Sequence, residues 1–298
     1  MGDGILLSGG LDTSIIASIT AKYKPLDAFT VAFQNGPSPD IEYATLMAKN
    51  LNFKHTIYKF DEDTLYDTLP IVINALKTFD PMEIRNSVVI YLGLKVAREN
   101  GVHAVMTGDG SDELFAGYSF LFNFEKDKLN EELEKLWSAM TFSSIPLAKE
   151  LGMKPILPFL EPNFKKFACE INAEYKIHPE NGKIYGKWIL RKAYEEILPQ
   201  KIVWRDKVPI EAGAGTAILP AFFNQVISDN DFQQRKDFYL NEDGVAIRDK
   251  EHLFYYEIFR KVVGIPHPMD EYGKQCPYCH SNVANSGTFC RTCGAYPV

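Results

Sequence analysis

Apolar positions in the first 110 residues alternate between two periods. Residues 5–7 (ILL) form a short apolar run that ends in Ser8-Gly9-Gly10. Behind them Leu11, Ile15, Ile16 and Ile19 recur at helical spacing, which predicts a strand, a tight loop and a helix with those four residues on one side. Residues 28–33 (AFTVAF) predict a second strand. Ser38-Pro39 supplies an N-cap and a proline at the first helical position, opening a helix to about Leu51. A third strand follows at 55–60 (HTIYKF), then helices over 63–79 and 86–100, the second ending before Gly101. Residues 104–107 (AVMT) predict a further strand, broken by Gly108-Asp109-Gly110 ahead of another helix. This β-α-β-α rhythm predicts an α/β fold with a doubly wound, mostly parallel sheet and helices on both faces. From about Phe120 to Gly264 the pattern turns mainly helical, with a last helix over 252–263. GIPHPMDEYGKQ then reads as a linker. The expected organisation is a main domain over 1–264, a linker over 265–275 and a small module over 276–298.

Composition narrows the class. Of 298 residues, 46% are apolar and 24% charged, which excludes a mostly disordered, collagen-like or coiled-coil chain. No apolar run approaches the ~18–20 residues that cross a bilayer. MGDGILLSGG has no cationic segment ahead of an apolar stretch, so it does not read as a secretory signal, and a reducing, cytoplasmic compartment is expected. The net charge of -7 gives no support to sequence-independent nucleic-acid binding.

Two loops carry the candidate chemistry. Ser8-Gly9-Gly10-Leu11-Asp12-Thr13-Ser14 lies between a predicted strand and a predicted helix. There glycines let the backbone approach an oxyanion, free N–H groups at the helix start point at it, and the hydroxyls of Ser8, Thr13 and Ser14 add donors. Asp12 would repel a bare phosphate but fits if it holds Mg²⁺. An ordinary capped turn is the alternative, and the GxxxxGK[ST] pattern of γ-phosphate transfer is not present. The second loop, Thr107-Gly108-Asp109-Gly110-Ser111-Asp112-Glu113, places two aspartates at the C-terminal end of a strand, where ligands bind in open α/β sheets. Asp112 at a helix start could share a metal with Asp12, and Asp109 could face the substrate; a plain N-cap would explain Asp112 but not the Gly-Asp-Gly before it.

SGGLDTS resembles the pyrophosphate loop of the ATP pyrophosphatase superfamily, whose members cleave ATP between the α and β phosphates and adenylate a substrate. The resemblance implies an adenine nucleotide alpha hydrolase-like sheet and places the adenine beside strand two, near Val31 and Phe33. GDGSDELFAGY (108–118) resembles the hallmark of the asparagine synthetase C-terminal domain and its β-lactam synthetase relatives. KTFDPMEIRNS (77–87), KWILRKA (187–193), Leu198-Pro199 and Trp204-Arg205-Asp206-Lys207 resemble further segments of that family in the same order, so the likeness covers roughly 4–215. It implies that Lys207 stabilises charge on phosphorus during adenylation, that Ser8–Ser14 and Gly108 contact ATP or pyrophosphate, and that Asp12 and Asp112 hold Mg²⁺. Arg85 and Lys192 are left open between surface pairing and function. The implied reaction is ATP-dependent adenylation of a carboxylate followed by amide formation.

Three departures bear on the substrate. Gly2 stands where glutamine-dependent members have a nucleophilic cysteine, so no glutaminase is expected, and nitrogen would come from ammonia, an amine or a partner subunit. GMKPILPFLE (152–161) resembles GLEARVPFLD, with Lys154 for the family's Glu and Ile156 for its Arg. That reverses one charge and deletes another at the substrate end of the pocket, which argues against aspartate but not against a carboxylate. Asp109 replaces a frequent Glu.

Of the five cysteines, Cys276, Cys279, Cys290 and Cys293 crowd the last stretch as CPYC and CRTC. Two such knuckles can close a thiolate tetrahedron around Zn²⁺, a closed structural zinc ribbon, with His280 outside the ligand set. So short a module has too little core to fold without metal. Residues 276–298 hold one Arg and no Lys, which argues against RNA, whereas Tyr278, Phe289 and Tyr296 could serve a protein interface. Two other functions are weighed. A tRNA sulfur transferase would need Cys169 as a catalytic thiol, although FKKFACEI reads as core. A nucleotide-binding subunit would assemble with a separate glutaminase or carrier protein through the ribbon. The substrate is expected to be a small-molecule or carrier-bound carboxylate.

Overall fold

Strand β1 (Gly4–Leu6) carries a fully buried Ile5 and sits in the middle of a five-stranded sheet. The computed structural model describes residues 3–180 and 182–298, so Gly2 lies outside the described residues. Helix α1 (Leu11–Ala21) follows the first loop, then β2 (Asp27–Phe33), α2 (Asp40–Asn50), β3 (Lys54–Phe60), α3 (Glu62–Leu76), α4 (Pro81–Glu99) and β4 (Ala104–Met106). The order is β3-β2-β1-β4-β5, with β5 at Lys154–Ile156, and β1 pairs in parallel with both β2 and β4. The chain therefore winds outward from β1 through β2 and β3, then returns to the other side of β1 at β4. That reversal sets the C-terminal ends of β1 and β4 side by side, the place where such sheets bind ligands. The α/β class and the doubly wound sheet expected from the periodicity are both present.

Several elements differ from the pattern-based expectation. α3 ends at Leu76 because Lys77 takes a left-handed conformation, and α4 already begins at Pro81. Ile19 is 41% exposed; α1 is covered by β1 and by α11 (Gln200–Val203) over most of its girth, which buries Ser14, Ala17, Ser18 and Thr20 as well as Leu11, Ile15 and Ile16. The helix expected after Gly110 is the short α5 (Ser111–Leu114). The stretch read as mainly helical contains α6 (Lys126–Ala139), α7 (Ser144–Glu150), α8 (Pro162–Glu170), α9 (Ala173–Lys176) and α10 (Trp188–Tyr194). It also contains sheet strand β5 and an antiparallel hairpin, β6 (Ile177–Glu180) with β7 (Lys183–Gly186). These strands are too short to show a period of two against their helical neighbours.

Contacts divide the chain into two units, one of Met1–Thr30, Pro39–Tyr58 and Gly93–Pro209, the other of Val31–Ser38, Lys59–Leu92 and Ile210–Val298. In the first, Ile5, Leu7, Leu11, Ile15, Ile16, Met47, Met106, Phe115 and Phe159 belong to one buried cluster around the sheet. The second gathers α12 (Ile210–Ala214), α13 (Leu219–Val226), α14 (Asp229–Asp243) and α15 (Lys250–Val262) with α3. α3 buries Leu65, Leu69, Val72 and Ile73, an i, i+4, i+7, i+8 stripe, and Asp61 caps it by accepting from Thr64 N–H at 2.9 Å. Phe79 is fully buried with its ring 5.0 Å from Tyr256 and 4.9 Å from Phe259.

One buried charge in the first unit opposes folding. Lys176 is fully buried, its Nζ has no hydrogen-bond partner, and it lies 4.6 Å over the Trp137 ring. Burial pulls its pKa down from 10.5 to about 8. Between those values the unfolded chain binds the extra proton, so stability rises with pH across that window. Lys176→Met should therefore raise Tm by roughly 3 °C or more at pH 7. That gain should shrink toward zero as pH climbs past 8 to 10.5, as thermal melts across the range would read.

Candidate active site

The loop after β1 is shaped by what lies beneath it. Gly9 has φ +66°, and a Cβ there would run into the backbone of Tyr43 and Ala44 at the start of α2, so only glycine lets the loop lie this close. Gly10 enters α1 in an extended conformation, and its N–H donates to Ser8 Oγ at 3.2 Å. Ser8 Oγ and Thr13 Oγ1 lie 3.3 Å apart, so the two hydroxyls share one side of the loop. Leu11 is buried in the core, and Ser14 Oγ is buried without a hydrogen-bond partner. Arg205 braces the loop from outside: its guanidinium donates to Ser8 O at 3.1 Å, pairs with Asp40 at 2.5 Å and lies 3.8 Å over the Tyr43 ring.

The second loop comes to meet the first. Ser111 Oγ donates to Asp12 Oδ1 at 2.7 Å, across 99 residues of chain. Gly108 faces Asp12 and Thr13, where a Cβ would be 3.1 Å from Asp12 Cβ. Asp12 and Asp112 are brought together by a residue for which the sequence reading assigned no role. Lys187 Nζ lies 2.6 Å from Asp12 Oδ2 and 2.7 Å from Asp112 Oδ1, and the lysine is only 4% exposed. Lys207 Nζ reaches Asp112 Oδ2 at 2.7 Å from the solvent side and lies 5.8 Å over the Tyr118 ring, whose hydroxyl donates to Glu113 at 2.6 Å. Burial alone would raise the Asp112 carboxyl, but the ammonium groups of Lys187 and Lys207 outweigh it and hold Asp112 ionised, well below the usual range. Burial would likewise lower Lys187, and the two carboxylates overcome it and keep the ammonium charged.

The unexpected hairpin delivers Lys187. Gly186 ends β7 against Ala116 O, and Lys187 N–H donates to Phe115 O at 2.9 Å in a left-handed conformation, φ 56°. Gly117 makes the room, since a Cβ there would overlap Asp112 Oδ1 and Lys187 Cε. Arg191, one turn on, is buried and donates to the carbonyls of Gly186, Val203 and Arg205, tying the hairpin to the segment that carries Lys207. No short-range periodicity marks Lys187, because its partners lie 175 and 75 residues away; its only signal was its place in the KWILRKA resemblance.

Asp109 sits at the mouth of the β4 loop. Its Oδ2 accepts from Thr107 Oγ1 at 2.8 Å and from Ser144 Oγ at 2.5 Å, Ser144 being buried at the start of α7. Ile156 is half-buried and its carbonyl accepts from Thr107 N–H at 3.1 Å, so the position that would carry the family's arginine adjoins Asp109 through one strand pair; Lys154 is exposed. Val31 and Phe33 are core residues of β2, 6% and 1% exposed, and the Phe33 ring packs 5.2 Å from Phe60. Arg85 pairs with Glu251 at 3.4 Å, and Lys192 with Glu195 at 2.5 Å on the surface. Cys169 is half-buried against the core, and burial raises its thiol pKa, away from the thiolate a sulfur transfer needs.

The donor set suits Mg²⁺. Two carboxylates and flanking hydroxyls are hard oxygen ligands, and the charge between them is already compensated by a cation, the Lys187 ammonium. The other metal candidate is the cysteine cluster. All four Sγ atoms lie within 4.8 Å of one another, with Cys276 and Cys293 at 3.7 Å and Cys279 and Cys290 at 3.6 Å. A tetrahedron of thiolates with Zn–S bonds of ~2.3 Å has edges of about 3.8 Å, so the spacing fits zinc and exceeds any disulfide. Removing Lys187 strips the cation from two facing carboxylates, both largely shielded from water with side chains 18% and 15% exposed. Lys187→Met should destabilise the protein by about 3–5 kcal/mol, read as a lower urea midpoint, and adding Asp112→Asn should recover part of that loss.

The sequence model of the asparagine synthase family matches residues 3–152 and 146–267. Glutamine-hydrolyzing asparagine synthetase B of Escherichia coli (strain K12) is 32% identical over 286 residues, covering 88% of this chain and 50% of its own length. A probable glutamine-hydrolyzing asparagine synthetase of Dictyostelium discoideum is 28% identical over 290 residues, covering 87% and 51%. The chain thus spans about half the length of these curated relatives. Among solved structures, NMN synthetase from Francisella tularensis aligns with a TM-score of 0.37 at 16% identity, covering 87% of this chain and 84% of that one.

Proposed function

The chain belongs to the asparagine synthase family, and on that premise we propose that it is an ATP-dependent, AMP-forming ligase that adenylates a carboxylate and converts it to an amide. The observation that carries the reading is the convergence of Asp12, Asp112, Lys187 and Lys207 at the ends of β1 and β4, beside a glycine loop built for an oxyanion.

In this reading Ser8–Ser14 cradle the pyrophosphate end of ATP, with N–H groups and the Ser8 and Thr13 hydroxyls as donors. Asp12 and Asp112 are the residues that would hold Mg²⁺, which supplies neutralising charge to the phosphates. A carboxylate oxygen of the substrate forms a bond to the α-phosphorus, the bond to the bridging oxygen breaks, and pyrophosphate leaves. Lys207, 40% exposed at the rim, presents its ammonium to the charge that builds on phosphorus. An amine nitrogen then attacks the acyl carbon, gives up a proton, and AMP leaves. Asp109, oriented by Thr107 and Ser144, faces the substrate or the amine. Lys154 and Ile156, in place of Glu and Arg, direct the acid away from aspartate. Nitrogen comes from ammonia, from an amine, or from a partner protein. The four cysteines bind one structural Zn²⁺.

A pyrophosphate-release assay across a panel of acids and amines tests the reading. Release should depend on ATP, an acid and Mg²⁺, with AMP as co-product. Asp12→Asn or Asp112→Asn should reduce it on the order of 10³-fold, and Lys207→Ala by about 10²-fold or more in kcat. Cys169→Ser should stay within about twofold of wild type, since its thiol is held protonated. ADP in place of AMP, or activity lost with Cys169, would overturn the assignment.

A further inference from the structure

The ribbon does not hang from the linker. Both knuckles bond to the rest of the second unit, to which the ribbon itself belongs. In the second knuckle, Thr78 Oγ1 donates to Arg291 O at 2.7 Å and to Thr292 O at 3.1 Å. Phe79 N–H donates to Thr292 O at 2.8 Å. Gly294, φ +73°, lies so close to Asp80 that a Cβ would overlap the Asp80 carboxylate. In the first knuckle, Tyr278 O accepts from Ala246 N–H at 2.8 Å, and His280 Nε2 lies 3.1 Å from Gly244 O. The gripped segments are far apart in sequence. Thr78–Phe79–Asp80 is the turn between α3 and α4, and Gly244–Ala246 leads from α14 to α15.

These segments carry more than themselves. Asp80 opens α4 by accepting from Met82 N–H at 3.2 Å, and Phe79 fills the aromatic core with His252, Tyr256 and Phe259. Further along α4, Asn86 Oδ1 accepts from Glu211 N–H at 3.0 Å, and Arg85 O accepts from Thr216 Oγ1 at 3.1 Å, fixing α12 and the turn after it. Apart from the His280 ring nitrogen, the gripping atoms of the ribbon are main-chain carbonyls of knuckle residues 278, 291 and 292. Their directions are set by how each knuckle wraps its cysteines, and a stretch this short has no core to set them otherwise.

We propose that zinc ligation makes the ribbon a clamp that locks the α3–α4 turn to the α14–α15 connection, so that metal loading orders the helical unit and not only the ribbon. This rests on the zinc reading above. It assigns the cysteines a purpose internal to the chain rather than a detachable docking module.

The test uses the full chain. Bound metal is counted by elemental analysis and by colorimetric release on thiol modification, with one zinc per chain expected. Hydrogen exchange is then compared before and after chelation. Exchange should rise at least tenfold at 77–86 and at 244–248, alongside 276–298. Protection kept at 77–86 and 244–248, with loss confined to 276–298, would overturn the clamp while leaving the zinc site intact. Absence of retained zinc would overturn the metal reading and the clamp with it. Thr78→Val removes two clamp bonds and no ligand. It should keep one zinc and still speed exchange at 78–80 and 290–294 several-fold; unchanged exchange in this variant would also overturn the clamp.

Discussion

A single ammonium group holds the candidate site together. Lys187 Nζ, almost wholly out of water, stands between the carboxylates of Asp12 and Asp112 at hydrogen-bonding distance from each. Two carboxylates brought this close and largely shielded from water repel; only a desolvated cation between them makes the arrangement stable. The neighbouring features follow from making that meeting possible. Gly117 leaves the space, the β6–β7 hairpin carries the lysine in, and Arg191 and Arg205 fix the strand ends and loops on either side. The same pairing keeps Asp112 ionised and aims both carboxylates at one point, which is the preparation the proposed divalent ion and polyphosphate would require.

The fold places that point where the sheet topology reverses. β1 is flanked on one side by β2 and on the other by β4, so the loops after β1 and β4 open side by side. Ser111 on Asp12 is the direct bond between them. The glycine loop and the second aspartate loop are therefore halves of one cluster, and each would be an ordinary capped turn alone.

What the sequence revealed follows from range. The strand–loop–helix units at 5–21 and 104–114 were legible because apolar period, glycine placement and acidic residues all act within a few positions. The cysteine knuckles were legible for the same reason. β5, the hairpin and the role of Lys187 were not, because a three- or four-residue strand shows no period and a lysine shows nothing of a partner 175 residues away. Ile19 misled for the converse reason: a helix covered on most sides has no single apolar stripe to read. The clamp was hidden because its bonds use main-chain carbonyls, on which side-chain identity leaves little imprint.

The distance in sequence between Asp12 and Lys187 also bears on how the protein comes into being. Contacts that close so large a loop are entropically late, arriving after local helices and the adjacent β-α units have formed. During synthesis the glycine loop emerges long before its lysine does. The growing polypeptide thus carries the two aspartate loops without their compensating cation, and the cluster is completed only once the distal hairpin docks.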